Sequence, residues 1–304
     1  MRARLYLLLV TLLAALLPAR GQAVVVVLSE RSAYYEEAAQ AFKAELGREG
    51  GGEPALIEPA ALQPGRVPAS RLYVALGTEA CAATVRLAGS TPVLCTLLPR
   101  ASFERVLLDS GRRASATLSA IYLNQSPARQ LDLVRLALPQ ARRIGMLWAA
   151  DNQGSRPQWE AAAQARGLRV VGATVAPQEP VFNGLRRVLE ESDVLLAVAS
   201  PQIYNAQTIQ NILLASFRAR VPMLAFSPAY VRAGAVLAIY ATPAQLGQQA
   251  AAWARAALQG QGLPAPQYPA GFEIQVNEHV ARSLGLQLDA AILGERLRRL
   301  EQGS

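Results

Sequence analysis

The stretch AIYLNQSPARQLDLVRLALPQARRIGMLWAADN, residues 120–152, constrains the fold more than any other, because it reads as strand, helix, strand and polar turn. Residues 120–122 close a β-branched and aromatic run. Pro127 sits where the first turn of a helix tolerates proline, and Leu131, Val134, Leu136 and Leu138 recur at helical spacing. Pro139 ends that helix, residues 143–148 resume as a buried strand, and residues 150–155 form a turn rich in capping residues. Strands joined through helices build parallel sheets, which take ligands at the carboxyl ends of their strands. The 150–155 loop is therefore an expected ligand-binding element.

The rest of the chain repeats the alternation. Residues 24–28, four valines and a leucine, carry no polar alternation, as in a parallel strand covered on both faces. A helix is expected over 33–46, and strands over 55–58, 72–76, 92–96 and 116–122. Beyond the central stretch, strands are expected over 168–175, 193–199, 222–226, 236–240 and 272–276. Helices are expected over 158–166, 181–191, 200–219 and 243–258. The fold class is α/β, with parallel, doubly wound sheets.

Residues 1–23 combine Arg2 and Arg4 with an apolar core over 5–17 and a small-x-small ending at Gly21-Gln22-Ala23. This is the pattern of a cleaved secretory signal peptide. The apolar core of about a dozen residues is short of the ~20 that span a bilayer. No cysteine lies near the cleavage point, so the expectation is a periplasmic protein with no lipid anchor. Subtracting Arg2, Arg4 and Arg20 from the formal +8 leaves +5, spread without a dense basic run, which argues against nucleic acid as a partner.

The chemical inventory is mostly negative. His279 is the one histidine, so a Ser-His-Asp arrangement has a single possible centre, and its place just after Asn277 reads as a helix start. Glu36-Glu37 and Glu190-Glu191 are helix neighbours that diverge rather than share a site. Transition-metal sets, phosphate loops and dinucleotide fingerprints are missing from the sequence. No enzyme, metal or cofactor is expected. Cys81 and Cys95 fall near the same lobe edge and either pair in an oxidising compartment or serve as two small buried hydrophobes.

Several segments together resemble the ABC-transporter substrate-binding family, whose members include tryptophan- and other amino-acid-binding proteins of the type I periplasmic-binding-protein fold. They are Pro127 with Arg129-Gln130-Leu131, residues 138–145 (LPQARRIG), Val221-Pro222-Met223, Leu246-Gly247-Gln248-Gln249-Ala250, Val276-Asn277, Ala281, and Leu284-Gly285-Leu286. The resemblance implies two Rossmann-like lobes joined by a hinge. Residues 24–121 with 241–263 form one lobe and 122–240 with 264–304 the other, with crossings near Tyr122, Tyr240 and Pro264. It implies a monomer that takes a small organic ligand, amino-acid-like or aromatic carboxylate, in the interlobe cleft and delivers it to an ABC permease. A periplasmic sensor or interaction protein of the same fold, contacting a membrane receptor, is the other reading. Where relatives carry an acidic residue after the strand ending here at Ala199, this chain has Ser200-Pro201-Gln202, without the carboxylate that would meet an α-ammonium group.

Strand-end topology nominates the ligand-binding residues: Ser29, Glu30 and Ser32; Gly77 and Thr78; Thr96; Tyr122; Asn152, Gln153 and Ser155; Ser200 and Gln202; Phe226 and Ser227; and Tyr240. Several of these loops open helices, where free backbone N–H groups favour an anionic group. Tyr34, Tyr122, Tyr204, Phe226 and Tyr240 are candidates to stack on a planar ligand.

Overall fold

The computed structural model describes residues 22–48 and 52–303. The expected signal peptide lies outside them except for Gln22 and Ala23, and the first strand already begins at Gln22. Among the described residues no helix is long and apolar enough to cross a membrane.

The first half of the chain gives β1 (Gln22–Leu28), α1 (Ala33–Gly47), β2 (Ala55–Ile57), β3 (Ser70–Leu76), α2 (Thr78–Leu87), β4 (Val93–Leu98), α3 (Arg100–Ser110) and β5 (Leu118–Tyr122). The strands form a parallel sheet in the order β2-β1-β3-β4-β5. The unalternating valine run has its physical reason here. Val24, Val26 and Leu28 pack against Phe42 and Leu46 of α1, whereas Val25 and Val27 join the opposite core with Ala80 and Phe103. Successive side chains point to opposite faces, and both faces are buried. Cys81 of α2 and Cys95 of β4 form a disulfide with a Cα–Cα separation of 5.5 Å.

The second half gives α4 (Pro127–Ala137), β6 (Arg143–Trp148), α5 (Arg156–Gln164), β7 (Arg169–Thr174), α6 (Val181–Glu191), β8 (Val194–Leu196), α7 (Ile209–Arg218), β9 (Met223–Ala225), α8 (Pro228–Ala233), β10 (Leu237–Tyr240), α9 (Pro243–Leu258), β11 (Glu273–Val276), α10 (Glu278–Ser283) and α11 (Ala290–Gln302). Its sheet has the order β11-β10-β9-β8-β6-β7, parallel except for β11. Counted from the first strand of each half, both sheets share the order second, first, third, fourth, fifth. The expected two parallel-sheet lobes are what the chain forms.

Three details differ from the sequence reading. The helix expected from Ser200 begins at Ile209, because Asn205 and Thr208 bond local backbone groups and hold 200–208 as turns. The apolar runs 193–199 and 222–226 contribute only Val194–Leu196 and Met223–Ala225 to the ladder. The crossing placed at Pro264 falls later. Leu263 N donates to Ala116 O (2.8 Å), Gln267 N to Ala120 O (3.0 Å) and Tyr122 N to Gln267 O (2.8 Å), so this segment covers the open edge of β5 before the chain leaves.

Helix α9 follows the second sheet's β10 yet packs on α1 of the first. Leu246, Ala250, Ala251 and Ala254 join Ala38 and Phe42 in one core. The approach needs a glycine: a Cβ on Gly247 would lie 2.2 Å from Ala38 O and 3.0 Å from Phe42 N. Gly247→Ala is expected to destabilise the protein by roughly 1–3 kcal/mol through overpacking against backbone, read as a lower denaturant midpoint.

Asp193 ties the turn after α6 to the start of β6. Its carboxylate accepts from the backbone N–H of Arg142 and Arg143, each at 2.8 Å, and from the Arg143 guanidinium at 2.6 Å. Burial pushes its pKa up, but the hydrogen bonds from Arg143 and the two backbone groups outweigh that and hold it below the ordinary carboxylate value. A depressed folded pKa adds stability above the unfolded value that is lost as pH falls through the folded one. Asp193→Ala is expected to cost about 1 kcal/mol at neutral pH. In urea titrations the gap to wild type should close as pH drops below ~3.9, the unperturbed aspartate value.

Candidate functional site

In an open sheet with this strand order the crevice lies between the first and third strands, where the connections leave in opposite directions. Loops after β1 and β3 mark it in one lobe, and loops after β6 and β8 in the other. Two adjoining cavities of about 350 and 590 Å3 lie between the loops after β6 and β8 and, in the first lobe, the loop after β4 with α3 and Thr78 at the start of α2. Pro99 and Arg105 of the first lobe and Asp151 and Ala199 of the second line both. A larger groove of about 960 Å3 runs between α6 and α7, past exposed Phe182 and Leu214. It is lined by the second lobe only.

The second lobe supplies the chemistry of the cleft. Ser200 is 2% exposed, and its hydroxyl faces both oxygens of the Asp151 carboxylate, at 2.7 and 2.8 Å. Beside them stands an aromatic wall. Phe226 lies edge to face with Tyr204 (centroids 6.1 Å) and with Tyr230 (4.9 Å), and Tyr230 OH donates to Tyr204 O at 3.2 Å. Burial, with a smaller contribution from Tyr230, pushes the Tyr204 phenol well up, so it stays neutral at any physiological pH. From the first lobe, Thr78, Arg105 and Asp109 face this wall.

The lobes touch at one end of the cleft. Arg100, at the start of α3, donates to Gln158 of α5 at 2.8 Å, and Tyr268 OH stands 3.3 Å from both. The backbone N–H of Arg100 donates to Asn124 Oδ1 at 2.9 Å. Tyr122 is sealed beneath, edge to face with Tyr268 at 5.3 Å. Burial pushes its phenol up to about 12, against the pull of Arg100.

Of the residues nominated from sequence, Thr78, Asn152, Ser155, Ser200, Tyr204 and Phe226 line the two cavities. The others do not. Ser29 Oγ accepts from Ala80 N at 3.0 Å at the start of α2. Gly77 has φ +97°, and a Cβ there would lie 2.4 Å from Ser29 Oγ. Thr96 is wholly buried in β4. Tyr122 is packed as described, and Ser32 opens α1. Glu30, Gln153 and Gln202 are exposed. Ser227 caps α8 by accepting from Ala229 N at 3.2 Å, and Tyr240 pairs with Glu273 of β11. Tyr34 is exposed on α1.

Asp151, Arg105, Tyr230 and Tyr268 were not nominated. Asp151 sits in the expected loop and was the signal available. Arg105 lies one turn into a helix, where a strand-end rule does not look. Among the described residues no group of three or more His, Cys, Asp or Glu side chains is placed to hold a metal ion. Asn152 is 3% exposed and its Oδ1 accepts from Ala149 N at 2.8 Å, folding the loop that carries Asp151. Asn152→Ala is therefore expected to lower the stability of the ligand-free protein by about 1–2 kcal/mol in chemical denaturation, because it orphans a buried N–H.

The family described as ABC transporter substrate binding protein matches residues 67–297. No curated protein matches the chain in sequence. Among solved structures, a conserved domain protein from Vibrio cholerae O1 biovar eltor is 21% identical, with a TM-score of 0.63 over 90% of this chain and 98% of that one. The ligand-free, open form of a substrate-binding protein with adhesive properties from Clostridium difficile is 16% identical, TM-score 0.69, over 88% and 96%. The ABC domain from Streptococcus pneumonia in complex with L-Trp is 15% identical, TM-score 0.60, over 89% and 97%. At these identities the likeness is one of fold.

Proposed function

Because the chain belongs to the ABC transporter substrate-binding family, whose members bind solutes rather than catalyse reactions, we propose that it is the periplasmic solute-binding component of an ABC importer. It works as a monomer, takes a small organic ligand, amino-acid-like or an aromatic carboxylate, between its lobes, and presents the closed form to an inner-membrane permease. One observation carries this reading: the cavities at the strand ends have one wall from each lobe. A ligand there touches both lobes and favours closure by its differential contacts. The cavity sizes fall in the range of small-molecule sites, and the aromatic wall with a few convergent polar groups is the usual composition of one. The Tyr204, Phe226 and Tyr230 rings offer contacts to an apolar or aromatic body, and exposed Arg105 across the cleft only a weak, screened one to a carboxylate.

Chain crossings at residues 123–126, at 241–242 and after Tyr268 supply the hinge. Thermal unfolding of the purified protein against amino acids, aromatic acids, nucleobases and small carboxylates tests the reading. A ligand at a hundredfold excess over Kd is expected to add about 2.7 kcal/mol of stability. The same ligand should reduce the radius of gyration in small-angle scattering. Absence of any shift, with folded protein stripped of carried-over ligand, would refute solute binding.

A further inference from the structure

Asp151 carries a charge that the protein itself leaves unanswered. Its carboxylate receives one hydroxyl proton, from Ser200, and no cation stands within ion-pair reach among the described residues. A carboxylate offers about four acceptor positions, so most remain open. The group is half-buried, and Ser200, which fixes it, is almost wholly buried. Closure of the cleft strips water from the carboxylate. Over a neutral or anionic ligand, that leaves a desolvated charge without a partner, which opposes closing.

The surroundings suit a cation. Tyr204, Phe226 and Tyr230 line the same cavity, with interplanar angles of 74° and 68° between neighbouring rings. Rings so inclined form walls of a partial box, and aromatic faces attract ammonium groups. The Tyr204 hydroxyl is buried with no hydrogen-bond partner, whereas that of Tyr230 is committed to Tyr204 O. Arg105 across the cleft is exposed on α3, so its pull on an anion is screened and weak. Asp151 is fixed and partly desolvated.

Resting on the solute-binding reading above, we infer that the ligand must carry an organic cation, a protonated amine or quaternary ammonium on an apolar body, seated on Asp151 against the Tyr204–Phe226–Tyr230 wall. A carboxylate on the ligand is tolerated rather than required. Ser200 is a positioning residue that holds the Asp151 carboxylate toward the cleft.

The test is calorimetric titration of the purified protein with matched probes. The cations 2-phenylethylamine, tryptamine and choline are paired with the neutral isosteres 2-phenylethanol, indole-3-ethanol and 3,3-dimethylbutanol, and with the anion 3-phenylpropanoate. At least one cation should bind about 10- to 100-fold more tightly than its isostere, the range of a charge-assisted contact. Asp151→Asn, which keeps the shape, should erase that difference. Ser200→Ala should weaken the cation alone, and Ser200→Thr should restore it. Neutral or anionic solutes binding as tightly as cations, or a cation preference that survives or grows in Asp151→Asn, would overturn the inference and leave solute binding standing. Binding of other solutes in the thermal screen with no cation bound would do the same, and no solute of any class bound would overturn both.

Discussion

The close passage of Gly247 over the backbone of Ala38 and Phe42 is the contact on which the two-lobe arrangement depends. Helix α9 leaves the second sheet at Tyr240 and must return to the first, where its alanine face completes the core over β1 and β3. That return obliges the chain to cross a third time to place β11 and the final helices on the second sheet. The segment 263–267 does so along β5, satisfying that edge strand's backbone on the way. The lobes are therefore joined by several short connections.

The two lobes repeat one strand order but spend their switch points differently. In the first, Ser29 turns inward to the start of α2, and Gly77 has room for no side chain, so the crevice between β1 and β3 is filled by the protein itself. In the second, the corresponding loops present a carboxylate to open space. The Asp151–Ser200 pair of the cavity thus comes from the second lobe, while Thr78, Pro99 and the face of α3 in the first form the opposite wall.

Elements bounded by rigid local chemistry were legible in the sequence. The helix expected over 243–258 forms over Pro243–Leu258, its start fixed by a Thr242–Gln245 capping box. Pro180 likewise marks the start of α6. The helix expected over 200–219 starts about two turns later, because the local bonds of Asn205 and Thr208 hold 200–208 as turns and bury Tyr204. The candidate site was legible as a set of loops and not as a set of side chains. Asn152 and Asp151 are adjacent in one turn, yet the first faces the loop's own backbone and the second the cleft. Which of two neighbours points outward is decided by tertiary packing, and no spacing rule encodes it.

The same geometry explains how the chain manages without an acidic residue after β8. Neighbouring strands of a sheet lie about 4.8 Å apart, and their carboxyl-end loops are side by side. Strand β6 pairs directly with β8. A carboxylate rising from the β6 loop can therefore occupy the space that one from the β8 loop would reach, provided something fixes it. Ser200 of the β8 loop supplies that bond. A motif read along one loop does not register a carboxylate that the neighbouring strand brings to the same cleft.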